Sequence, residues 1–173
     1  MVTDDVPPSP RDGARAHVPN DDGPPAPSAP AELAAARAVC SALDPVLTRH
    51  GFAPGQPGTR DGEASVVHCC AYGDFRHRFP ALAPGIEEAS GFDVGAVDPA
   101  TACVDLDVVV VVDPEPRLTA VRLEGDDLLT LLHDADLPHL VDEARRLPHE
   151  SFPVALRRLA ALLEGLLGRA ATR

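Results

Sequence analysis

Apolar positions change period along this chain, and the changes divide it into segments. From Ala31 onward, Leu33, Ala36, Cys40, Leu43 and Leu47 recur at alternating threes and fours. That period predicts one apolar face of a helix. Ser28 suits an N-cap, Pro30 suits a first turn, and Glu32 complements the positive end of the helix dipole. Gly51, just after Arg49 and His50, supplies the stop. Pro45 interrupts the pattern, so either the helix kinks there or Asp44 caps a second short helix.

Beyond Gly51 the period drops to two. Phe52–Gly62 reads as a Gly/Pro loop. Ala64–Tyr72 reads as a strand with Val66, His68, Cys70 and Tyr72 on one face and Val67, Cys69 and Ala71 on the other. Phe75–Phe79 (FRHRF) alternates aromatic and basic residues, as a short edge strand would. Pro80–Ala100 is irregular, either an ordered flap or a disordered stretch. Ala102–Val112 carries the clearest strand: Val104, Leu106, Val108, Val110 and Val112 make a wholly apolar face, as a central strand requires. A turn at Asp113–Arg117 returns the chain as a hairpin partner over Leu118–Glu124.

After Gly125 the helical period resumes. Asp126 or Asp127 caps a helix ending near His133, a second helix spans about Leu137–Leu147, and a third spans about Phe152–Leu167. Ser151 caps the third, whose stripe of Phe152, Leu156, Leu159, Leu163 and Leu166 suits packing on a sheet. The resulting expectation is an α+β fold. It has a small antiparallel sheet of three to four strands, with the N-terminal helix and the C-terminal helices packed mainly on one face.

Composition sets the limits of that domain. Residues 1–30 hold eight prolines and five aspartates with few large apolar side chains, so they read as a disordered arm. Residues 31–173 read as a single domain, with the irregular segment at 80–100. No apolar run resembles a signal peptide or a membrane span, and the four cysteines sit in apolar stretches without CxxC spacing. A cytoplasmic, reducing setting follows as the expectation. Lysine is absent, and the dominance of Ala, Gly, Pro, Arg, Val and Asp reflects GC-rich codons and points to a bacterial source.

The formal net charge is −12, which argues against nucleic acid as a partner, because binding phosphates needs clustered basic residues. It suits a protein partner with a basic surface. No Gly-rich phosphate loop, GxSxG element or oriented triad appears, so no residue is assigned a catalytic or cofactor-binding role. One constellation has metal-binding chemistry. Should the two main strands pair, His68 and Cys70 could lie beside Cys103 and Asp105 on one face, with Asp107 and His77 near. Imidazole, thiolate and carboxylate together suit zinc. The arrangement depends on register, since a one-residue slip moves every ligand to the other side. The same face also reads as solvated Asp with buried Cys, and Asp105 with Asp107 could instead hold Mg²⁺.

At GFAPGQ (Gly51–Gln56), RFP (Arg78–Pro80) and CVDL (Cys103–Leu106) the chain resembles small uncharacterised proteins of GC-rich bacteria. Its element order is similar in outline to immunity-type α+β domains. The resemblance implies no activity. The leading expectation is a non-enzymatic binding or protein-interaction domain, regulatory or immunity-like. The alternative is a metal-binding protein or metal-dependent hydrolase built on the His/Cys/Asp cluster.

Overall fold

The computed structural model describes residues 30–60, 62–90, 98 and 101–171. The segment read as a disordered arm lies outside them except for Pro30.

The Val-rich segment forms the centre of the sheet. Strand β2 (Glu63–Ala71) and strand β3 (Cys103–Val111) pair antiparallel, from Glu63 opposite Val111 to Ala71 opposite Cys103. Burial alternates along both strands: Ala64, Val66, His68 and Cys70 share a buried face with Val104, Leu106, Val108 and Val110. Each fully buried aliphatic side chain there stabilises the fold by about 1.5–3 kcal/mol.

Strand β4 (Arg117–Leu123) returns from a turn that contains a cis Asp113–Pro114 peptide. A bulge interrupts its register with β3 at Val109/Val110, where Thr119 is the extra residue and its Oγ1 donates to the Val109 carbonyl at 3.1 Å. Glu124 and Gly125, with φ of 49° and 91°, then make a two-residue turn into β5 (Asp126–Asp127). Both central residues with positive φ are what a tight hairpin of matching twist needs.

The sheet has five strands, not three to four, in the order β1-β2-β3-β4-β5. The additional edge strand β1 (Gln56–Arg60) lies within the segment read as a loop. Its Pro57 and Gly58 carry no apolar alternation, and proline is tolerated at an edge because its missing N–H faces away from the ladder.

Helix α1 (Pro30–Leu47) runs through Pro45 without division into two helices. A 3₁₀ turn (Thr48–His50) follows, and the left-handed Gly51 (φ 93°) ends it. The buried stripe is Ala35, Ala36, Val39, Leu43, Val46 and Leu47, rotated from the expected one, so that Leu33 and Cys40 fall at its margins.

Two segments depart further from the sequence reading. FRHRF is not a strand: Tyr72 opens helix α2 (Tyr72–Arg78), and Phe75 and Phe79 pack with ring centroids 5.0 Å apart. Aromatics four residues apart satisfy a helical period as well as an alternating one. The segment 80–100 contains helix α3 (Ala83–Ser90), anchored by the buried Leu82, Ala83 and Ile86. Residues 91–97, 99 and 100 lie outside the described ones.

Helix α4 (Leu128–Asp134) is capped by Asp127, whose Oδ1 accepts from the Thr130 amide at 3.0 Å. The next segment is broken into a 3₁₀ turn at Pro138–Leu140, helix α5 (Val141–Arg146) and a second 3₁₀ turn at Leu147–His149. Pro138 and Pro148 stand at the first turns, where their missing N–H costs least. Helix α6 (Phe152–Ala171) buries Leu156, Leu159, Leu162, Leu163, Leu166 and Leu167. With α1 and the buried sheet face it forms one hydrophobic cluster. The fold is α+β, with its helical cover on one face of the sheet. Among the described residues no helix is long and apolar enough to cross a membrane.

Candidate functional site

The β2–β3 register decides the fate of the sequence-derived metal cluster. Residues of like parity face each other: His68 opposes Leu106, and Cys69 opposes Asp105. His68 and Cys70 therefore point into the core, whereas Cys103 and Asp105 lie exposed on the opposite face. The four residues His68, Cys70, Cys103 and Asp105 do not converge, and the expected zinc set is corrected. The reason is the one-residue slip. Neither face of β2 carries a charge between Ala64 and Ala71, so its own sequence left the core-facing side open.

Cys103 instead meets Cys69. The two form a disulfide with Cα atoms 5.7 Å apart, linking β2 to β3 diagonally on the outer face. The reading of four unpaired cysteines in apolar stretches is corrected at this pair. Only Cys40 and Cys70 are free, Cys40 half-buried and Cys70 buried. The sulfur atoms of Cys69 and Cys103 and a carboxylate oxygen of Asp105 lie within 4.8 Å of one another. Glu124 braces this corner: its Oε1 accepts from the Asp105 amide at 2.7 Å, and its own amide donates to the Asp105 carbonyl at 2.9 Å. Burial pushes the Glu124 carboxyl up, opposed by that amide and reinforced by the Asp105 charge. Asp107, two residues on, has its Oδ1 buried without a hydrogen-bond partner. Burial raises its carboxyl, while the facing Arg122 pulls it down and Asp105 adds to the rise.

His68 has a different role. Its Nε2 lies 2.8 Å from Asp44 Oδ1, and the same oxygen accepts from the Gly55 amide at 3.0 Å. A carboxylate only accepts, so Nε2 carries the proton. Nδ1 is buried without a partner. Burial lowers the His68 pKa, partly offset by Asp44. Cys40 stands at the edge of this cluster, its thiol donating to the Gly55 carbonyl at 3.8 Å. Its pKa is raised, first by burial and then by Asp44. A neutral thiol beside a carboxylate-bound imidazole is a poor nucleophile, so the cluster reads as a clamp between α1, the 52–55 segment and β2.

A groove of about 390 Å³ runs along β4, lined by Leu118–Arg122, Leu128, Leu129, Ala144, Arg145 and Leu147 among others. Strand β5 covers β4 only at Arg122 and Leu123. Among the described residues, no strand lies beside the outer side of β4 upstream of Arg122. The Glu124 amide bonds to β3, and backbone groups alternate direction along a strand, so the amide and carbonyl of Val121 point away from β3, toward Leu128, which the β4–β5 register places opposite. The groove charges are locally answered: Arg145 lies 3.5 Å from Asp142, and Arg122 stands opposite both Asp107 and Asp127.

These features define an α+β protein with an open sheet edge and a solvent-facing disulfide. Comparison with protein-family models, curated proteins and solved structures finds no match.

Proposed function

We propose that this is a protein-interaction domain that captures an extended segment of a protein partner along β4. The carrying observation is the open edge at Leu118–Ala120 beside an apolar groove. An added strand would pair with β4 upstream of Val121, while alternate side chains of the guest would enter the groove past Leu129. The occupant is a segment of another protein bearing basic charge. The chain's net charge of −12 attracts such a partner at long range, and the groove itself is close to neutral, so apolar side chains are accepted inside it. A regulatory or immunity-like role accords with this mode, in which the domain acts by occupying its partner.

The test is affinity capture with the full chain, compared with Leu129→Glu, which places a charge in the groove, and with Glu88→Gln, outside the groove lining, as a control. A partner retained by the wild type and the control, and lost with Leu129→Glu, supports the reading. Hydrogen exchange then provides the specific signature: amides within Leu118–Ala120 become protected in the complex. A partner that binds equally to Leu129→Glu, or leaves the amides of Leu118–Ala120 unchanged, overturns it. Pairing of β4 with a second copy would appear instead as a concentration-dependent dimer by light scattering, and that outcome also overturns it.

A further inference from the structure

We propose that Cys69, Cys103 and Asp105 form a redox-gated site for a thiophilic divalent cation, zinc above all. The two cysteines come from different strands, yet the β2–β3 register brings their sulfur atoms together with a carboxylate oxygen of Asp105. All three residues lie on the face away from the helices, with Cys103 and Asp105 exposed and Cys69 partly so. A small thiol can therefore reach the bond, whereas Cys70 is enclosed in the core.

The disulfide form has no thiolate to offer. Reduction proceeds by exchange with a thiol or dithiol reductant: its thiolate attacks one sulfur, the Cys69–Cys103 bond breaks, and a mixed disulfide forms. A second reductant thiol displaces the protein sulfur. Two electrons and two protons then reside on Cys69 and Cys103, and the reductant leaves as its own disulfide. Binding of zinc releases the two thiol protons, giving two thiolates and one carboxylate around the ion. Soft sulfur donors select zinc over magnesium or calcium, and three protein ligands leave a fourth position open to water. Oxidation by a disulfide of the same class restores the cross-link and expels the ion.

Two neighbours support the arrangement. The hydrogen bonds between Glu124 and the Asp105 backbone hold that ligand in place at the hairpin turn. Cys103 opens β3 and Cys69 lies near the end of β2, so the sulfur atoms can separate to ligand spacing without disturbing the Val-rich centre of the sheet.

The experiment uses the full chain, prepared once with a reductant that is then removed anaerobically, and once oxidised. Zinc alone is the probe, in competition with a chromophoric chelator. The reduced protein is expected to bind about one zinc per chain and the oxidised protein none, with two fewer titratable thiols in the oxidised form. Cys103→Ser should abolish binding, Asp105→Asn should weaken it by at least about tenfold, and Cys40→Ser should leave it unchanged. Circular dichroism confirms that each variant is folded, and Asp105→Asn keeps both cysteines should Cys103→Ser unfold. Reduced wild-type protein that loses zinc to the chelator at every concentration overturns the proposal. So does Cys103→Ser or Asp105→Asn binding zinc as tightly as the wild type.

Discussion

His68 Nε2 sits 2.8 Å from Asp44 Oδ1, an ion-capable pair that ties the middle of the sheet to the last turns of α1. Its imidazole is wholly buried while the carboxylate is about one-third exposed. The histidine therefore takes its charge state from a core environment, and the aspartate alone joins it to the surface.

That asymmetry gives a pH dependence with a definite sign. Burial lowers the His68 pKa in the folded chain, against about 6.5 when unfolded. Below about 6.5 the unfolded chain binds the proton more readily, so the His68 contribution is complete above that pH and is lost as pH falls. Asp107 and Glu124, whose folded values are raised, act in the opposite direction at lower pH. Urea denaturation at pH 7.5, 6.5 and 5.5 should show declining stability, and His68→Gln should flatten the decline. A profile identical to the wild type would place the titration elsewhere.

Asp44→Ala should destabilise by about 1–3 kcal/mol, because it leaves the buried His68 ring N–H and the Gly55 amide without their acceptor. Asp44→Asn retains an acceptor oxygen and should cost less. Denaturation midpoints of the three proteins measure the order, and equal losses for Ala and Asn contradict it.

Two glycines separate crowding from backbone strain. A Cβ on Gly55 would stand 2.6 Å from Val66 Cγ1 and 2.8 Å from His68 Nε2, so Gly55→Ala should cost about 1–3 kcal/mol through overpacking. Gly62 has a φ of +75° and nothing within 4 Å of such a Cβ. Gly62→Ala should therefore cost only the left-handed backbone penalty of roughly 1–2 kcal/mol. Hydrogen exchange makes the distinction: Gly55→Ala should loosen amides of α1 and β2, and Gly62→Ala only those of the β1–β2 turn.

Glu32 is a buried acid at the start of α1, and its Oε1 accepts from the Gly62 amide at 3.0 Å. Gly62 in turn accepts from the Val112 amide, so one contact ties the helix start to the turn beside β3. Glu32→Ala should lower stability by about 1–3 kcal/mol. Glu32→Gln, which keeps the acceptor, should retain most of it. The urea midpoint reports both.

The elements with a strong period were legible in the sequence alone. The apolar face Val104–Val110, the hairpin return through Arg117–Leu123, the stripe of α6 and the stop at Gly51 follow from local chemistry, because each needs only residues near in the chain. Pairing needed more. The edge strand Gln56–Arg60 has no apolar alternation, since an edge strand is held largely by its neighbour's backbone. Phe75 and Phe79 fit two periods until the core selects the helical one. The candidate site lay in that second class. Cys103 and Asp105 were visible as chemistry, but their partners depended on which uncharged face of β2 turned inward. Burying the apolar face of β3 fixed that choice, sending His68 to Asp44 and Cys69 to Cys103. A one-residue step in register was enough to exchange those partners, and only the three-dimensional packing of both strands against the helices could decide it.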